Sequence, residues 1–172
     1  MKKEMQIKTI GNPCLREKCM PETDMDSARK IVDTLVDVMI DAMGAGLAAP
    51  QIGIAKRIFV FRAERSDDAP IIKMINPEIL LKSDKMVSDE EGCLSIRGPD
   101  DVPVFYDVMR PESVVVSWFD EFGAAHKREF DGFSARVIQH EMDHLDGILF
   151  IDHISLLNRE RVMSKVRKRK NQ

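Results

Sequence analysis

The stretch Gln139-His140-Glu141-Met142-Asp143-His144-Leu145-Asp146-Gly147 holds two histidines four residues apart with a glutamate beside the first, an HExxH pattern. It lies in a segment beginning near residues 132–134, where Phe133, Val137, Ile138, Met142 and Leu145 recur on overlapping helical faces until Gly147 ends the run. A helix that is apolar on more than one side belongs in the middle of a domain. On such a helix His140 and His144 share one face within reach of a single metal ion, and Glu141 can touch a water held there. Random placement of 4 His and about a dozen Glu produces this pattern on the order of once in a hundred such chains. Burying these imidazoles and carboxylates without partners would cost several kcal/mol, which argues for a partner.

A catalytic site of this kind needs a third protein ligand and an open position for water. In the protease arrangement HExxHxxGxxH, Gly147 falls where the glycine belongs, but the third-ligand position is Phe150, and Asp152 and His153 overshoot it. The nearest downstream glutamate, Glu160, lies on a terminal amphipathic segment and closer than other zincins place theirs. Upstream, Glu90-Glu91-Gly92-Cys93-Leu94-Ser95 offers a cysteine after an acidic, glycine-containing turn. Cys93, His140 and His144 make a three-donor set, and a bound cation lowers the thiol pKa enough to hold Cys93 as thiolate. Taken alone, a cysteine in an apolar setting is more often a small buried hydrophobe. Beside HExxH the balance reverses.

Working outward, residues 24–43 carry Ile31, Leu35, Met39 and Met43 at every fourth position, with Val36 and Ile40 beside them. This predicts an amphipathic helix, capped by Asp24, Asp26 or Ser27 and ended by a left-handed Gly44 or Gly46. Residues 56–130 change to short β-branched and aromatic runs at 57–61, 71–75, 78–81 and 114–119. Asn76-Pro77, Gly98-Pro99 and Glu121-Phe122-Gly123 are the turn signals between them. Residues 113–120 and 124–130 read as a hairpin around the last of these. Residues 154–170 begin with Leu156 and Leu157 and end RVMSKVRKRK, an amphipathic helix fading into a basic tail. The expected class is α+β, with antiparallel or mixed sheets packed around a central helix carrying HExxH and with N-terminal and C-terminal helices. No repeat or linker divides the chain, so residues 1–172 read as one domain and 154–172 as its C-terminal basic helix and tail.

The chain has 172 residues, 44% hydrophobic and 32% charged, enough apolar mass for one core. Twenty-six Lys and Arg against 29 Asp and Glu give a net charge of -3, which excludes the global basic field of a DNA binder. The N-terminus lacks the apolar core of a secretory signal, and no run approaches the ~18 apolar residues of a membrane span. A cytoplasmic protein with no membrane partner is expected. Three cysteines, Cys14, Cys19 and Cys93, are an odd number, favouring reduced thiols.

Three segments together carry a family resemblance. Gly44-Ala45-Gly46-Leu47-Ala48-Ala49-Pro50-Gln51, Glu91-Gly92-Cys93-Leu94-Ser95 and residues 139–147 resemble, in order, the signature motifs GxGxAAxQ, EGCLS and QHExDHxxG of peptide deformylases. The likeness runs from about Ile10 to Asp152. It implies removal of the formyl group from the N-terminal formylmethionine of new polypeptides, with release of formate. It also implies Cys93, His140 and His144 as metal ligands, agreeing with the donor set reached from spacing, and Glu141 as the proton carrier. Gln51 and the backbone N–H of Leu94 would stabilise the developing oxyanion. Ala45 and Gly92 would pair with the substrate main chain, with Gly44, Gly46 and Glu91 in the same substrate-contacting motifs. Val137 and the carbon face of His140 would line the methionine pocket. The family's working ion is Fe2+; Cys and His donors also accept Zn2+, Ni2+ or Co2+.

Alternatives accompany this reading. Viewed alone, Gly44 and Gly46 read equally as helix termination, and Gln51 as a surface amide. Asp143 points away from the side shared by His140 and His144, which suits a structural role. The family commonly continues Ile-Pro-Gly after the second motif and soon reaches an arginine at the start of the next strand. Here Ile96-Arg97-Gly98 lacks the proline, and the segment before Arg110 is several residues longer. Residues 159–170 hold seven Lys or Arg against Glu160, a solvated helical end or, by resemblance to relatives, a ribosome contact. A peptide-cleaving metalloenzyme and an inert N-terminus-binding relative are the rival functions.

Overall fold

The computed structural model describes residues 6–170; the first five and last two residues of the expected domain lie outside them. Helix α1 (Met25–Asp41) starts at Asp24, whose carboxylate accepts from the backbone N–H of Asp26 and Ser27. Its C-terminal left-handed residue is Met43, with φ 52°, rather than Gly44 or Gly46. Strands β1 (Gly46–Ala48), β2 (Ile58–Arg62), β3 (Ile71–Lys82), β6 (Ser113–Phe119) and β7 (Ala125–Asp131) form one sheet in the order β1-β2-β3-β6-β7. Strands β4 (Met86–Arg97) and β5 (Pro103–Pro111) form a second. Every pairing between these strands is antiparallel. The β6–β7 hairpin falls where the sequence places it.

Two expected turns are strand instead. Asn76-Pro77 does not end β3; Asn76 takes φ 50°, the register shifts there, and its side chain bonds the backbone of Glu22 on both sides. The acidic segment around Glu91 is the middle of β4, and most of the lengthened region before Arg110 is β5, with Arg110 near its end rather than at its start.

Strand β2 is buried at all five positions because both faces are covered. Ile58 and Val60 pack against Ile31, Val32, Leu35 and Met39 of α1, whereas Phe59 and Phe61 pack against α2 (Gly132–Leu145). That second helix, carrying HExxH, contributes Ala135, Val137, Ile138, Met142 and Leu145 to the core on its sheet side. The β4–β5 sheet lies across it, in a third cluster with Cys93, Ile96, Val104, Val108 and Phe150. Helix α3 (Leu156–Lys170) closes this cluster with Val162 and Val166, while Leu156 and Leu157 are exposed. Helix α2 is thereby held between the two sheets, with its polar residues facing β4.

Candidate metal centre and active site

Alternation along β4 puts Glu91 and Cys93 on the face that meets α2. Cys93 Sγ lies 3.2 Å from His144 Nε2, and one donor atom from each of Cys93, His140 and His144 lies within 4.8 Å of the others. All three residues are buried. His140 Nδ1 bonds Glu91 Oε2 at 3.0 Å, which fixes the ring and leaves Nε2 for a cation. Burial raises the Cys93 thiol, but the two imidazoles outweigh it and hold it well below its ordinary value. Burial lowers His140, and the hydrogen bonds to Cys93 and Glu91 reverse this and hold it well above its usual range.

Glu141 is buried, and burial pushes its carboxyl up to about 7 against the opposing pull of both histidines. Its Oε2, like Nδ1 of His144, has no hydrogen-bond partner among the described residues. An unpaired buried carboxylate oxygen is costly. Beside one thiolate and two imidazoles, it fits a divalent cation and the water such an ion carries.

The neighbouring side chains are set from other elements. Gln51, in a helical turn after β1, accepts from the Ala48 N–H through Oε1 at 2.8 Å. Its Nε2 then donates to Ser95 Oγ at 3.1 Å and toward Cys93 Sγ at 3.7 Å. Gln51 is therefore a buried amide aimed at the donor set. The Gly44 N–H helps end α1 by bonding the Met39 carbonyl at 2.8 Å, but what needs glycines at 44 and 46 is close approach: a Cβ on Gly44 would lie 2.9 Å from Leu94 Cδ1. A cavity of about 450 Å³ opens beside the donors. Gly44, Ala45, Gly46, Gln51, Gly92, Leu94, Val137 and Glu141 border it with Cys93 and His140, while His144 stands behind them in the donor set.

Glu91 also borders the cavity, but its carboxylate is not turned to a ligand. Arg110 grips it through two bonds of 2.8 and 2.9 Å, and Arg136 through a third of 2.8 Å, besides the bond to His140. Burial pushes its carboxyl up, yet Arg110 and His140 hold it well below the usual range. Arg110 continues to Asp143 at 2.6 Å, and Asp143 to His153 at 2.7 Å. Asp143 thus has the structural role expected of it. The roles of Arg110 and Arg136 were not legible from spacing; the available signal was an arginine one turn before His140 in an otherwise apolar helix.

A family model described as polypeptide deformylase matches residues 4–160. The chain belongs to the peptide deformylase family. A protein named peptide deformylase from Methylocella silvestris is 45% identical over 160 residues, covering 90% of this chain and 79% of that protein. The crystal structure of a peptide deformylase from Legionella pneumophila superposes with a TM-score of 0.87 at 34% identity, covering 96% of this chain and 95% of that one. That of a peptide deformylase from Synechococcus elongatus in complex with actinonin gives 0.86 at 37% identity, covering 97% and 88%. Peptide deformylases are metal-dependent hydrolases that remove the N-formyl group from nascent polypeptides, and membership favours this activity over the peptide-cleaving and inert readings. Among the described residues, no helix is long and apolar enough to cross a membrane.

Proposed function

We propose that this chain is a single cytoplasmic catalytic domain that deformylates N-terminal formylmethionine through one Fe2+ held by Cys93, His140 and His144. The observation that carries this reading is the convergence of those three buried donors beside the unpartnered Oε2 of Glu141. When bound, the cation supplies Lewis acidity toward water and the formyl oxygen. Glu141 takes a proton from the attacking water as its oxygen bonds to the formyl carbon. Gln51 Nε2 and the Leu94 backbone N–H donate to the oxygen on which charge develops, contacts of a kind worth a few kcal/mol each. Glu141 then returns the proton to the nitrogen as the C–N bond breaks, giving formate and a free amino terminus.

The peptide main chain lies between Ala45 and Gly92 as an added strand, and the methionine side chain enters the apolar recess at Val137. Gly44 and Gly46 let Leu94, Glu141 and Val137 close in on this site, and a formyl carbon bears only hydrogen, so bulkier acyl groups are rejected sterically. Thiolate coordination to iron makes the activity oxygen-sensitive, with Zn2+, Ni2+ and Co2+ as substitutes. The test is formate release under anaerobic conditions from formyl-Met peptides, against cleavage of unformylated ones, with Glu141→Ala alongside. The variant should keep its metal and lose at least ~10² of the rate. Metal loss would make Glu141 a ligand, and internal cleavage without formate would make the chain a peptidase.

A second reading concerns α3. Arg161, Lys165 and Lys168 are exposed at helical spacing, on a helix held to the domain by buried Val162 and Val166. We infer that this face contacts ribosomal RNA. Replacing the three with glutamate should abolish salt-sensitive co-sedimentation with ribosomes; unchanged co-sedimentation would leave them a solvated surface.

A further inference from the structure

Among the described residues β5 is the one strand paired with β4, whose other edge is bonded by the Ile10 N–H at Ser95, and the residues bordering the cavity include Gly92, Cys93 and Leu94. Cys93 and Glu91 face α2, so Gly92 belongs to the opposite face of the strand. Directly across the pair from Gly92 stands Phe105 of β5. Its ring fills the space a side chain on Gly92 would take: an added Cβ would lie 2.5 Å from Cε1 and 2.8 Å from both Cδ1 and Cζ. Because Gly92 has no side chain, the ring leans across β4 and reaches the cavity, which it borders together with Pro103. It remains 54% exposed, an aromatic surface available to a ligand. Both residues belong to the lengthened segment in which this chain departs from the family pattern.

We propose that Phe105 selects the second residue of the substrate, favouring an apolar side chain immediately after the formylmethionine. The inference rests on the deformylase reading, in which the peptide runs along β4 with its methionine directed at Val137. Successive side chains of an extended peptide point to opposite faces, so the next one falls on the Phe105 side. Glu90, two residues before Gly92 and exposed on the same face, repels an acidic side chain there.

The experiment compares kcat/KM for formyl-Met-Leu, formyl-Met-Gly, formyl-Met-Asp and formyl-Met-Lys dipeptide amides by formate release. The unaltered protein should prefer Leu over Gly by about fivefold, the effect of covering roughly half a leucine side chain, and should use Asp least. Phe105→Ala should bring the Leu:Gly ratio near one, Phe105→Leu should keep it, and Phe105→Glu should shift the preference to Lys. A merely structural Phe105 would lower all rates together with the ratios unchanged, and that result overturns the proposal. No formate from any peptide with the unaltered protein would instead overturn the deformylase reading itself.

Discussion

Gly46 of β1 and Glu141 of α2 touch: a Cβ on Gly46 would lie 2.5 Å from Oε1 of Glu141 and 2.9 Å from Cγ1 of Val137. The glycine is required by space rather than by backbone angle, since it is not among the glycines with positive φ. Gly46→Ala should displace the carboxylate while leaving the three metal donors in place. A displacement approaching 1 Å costs on the order of 10²-fold in kcat. Steady-state kinetics with metal analysis checks this; an unchanged kcat would mean that Glu141 has freedom the packing does not show.

Glu91 joins two arginines to His140, one of the three proposed metal donors. In Glu91→Ala, Arg110 and Arg136 lose the buried anion that neutralises them, and His140 loses the acceptor that fixes its ring. Breaking a buried pair in this way costs roughly 3–5 kcal/mol. Loss of the histidine's partner weakens metal affinity by roughly 10–100-fold. Denaturant unfolding and competition with a chelator read the two effects separately, and both should appear.

Much of this was legible in the chain and some was not. Helices α1 and α2 follow from four-residue apolar recurrence, and His140 and His144 from spacing alone. Strand β4 was hidden because Asp89, Glu90 and Glu91 resemble a solvated turn, whereas Glu91 is neutralised by Arg110 and Arg136 from two distant segments. Long-range pairing of that kind leaves no local signature. Asn76-Pro77 misleads for a similar reason: Asn76 holds its left-handed conformation through bonds to Glu22, 54 residues away. Gly44 and Gly46 looked like helix terminators, but the left-handed residue is Met43, and what needs the glycines is contact with Leu94 and Glu141.

Acid sensitivity should reside partly at Glu22. Its carboxylate accepts from the backbone N–H of Asp24 and Thr23 and from the Ser27 hydroxyl, with Lys56 Nζ at 3.4 Å. These contacts, the Asp24 N–H foremost, lower its pKa from the ordinary 4.5 despite burial. The folded state therefore binds the proton less readily than the unfolded chain. The stabilisation is full above about pH 4.5 and is lost as pH falls through the lower folded value. Glu22→Gln should cost about 1–2 kcal/mol at neutral pH, and the difference should shrink below pH 4.5. Urea unfolding at several pH values measures it; a pH-independent difference would contradict the assignment.

The central claim is that one cation is gripped by a thiolate from β4 and two imidazoles from α2. X-ray absorption spectroscopy of protein prepared without oxygen tests it most directly and identifies the metal in the same measurement. The expected spectrum shows one metal per chain with a single sulfur neighbour near about 2.3 Å, two imidazole nitrogens and a lighter oxygen donor. A metal shell without sulfur, or protein that retains no metal at all, would contradict the account.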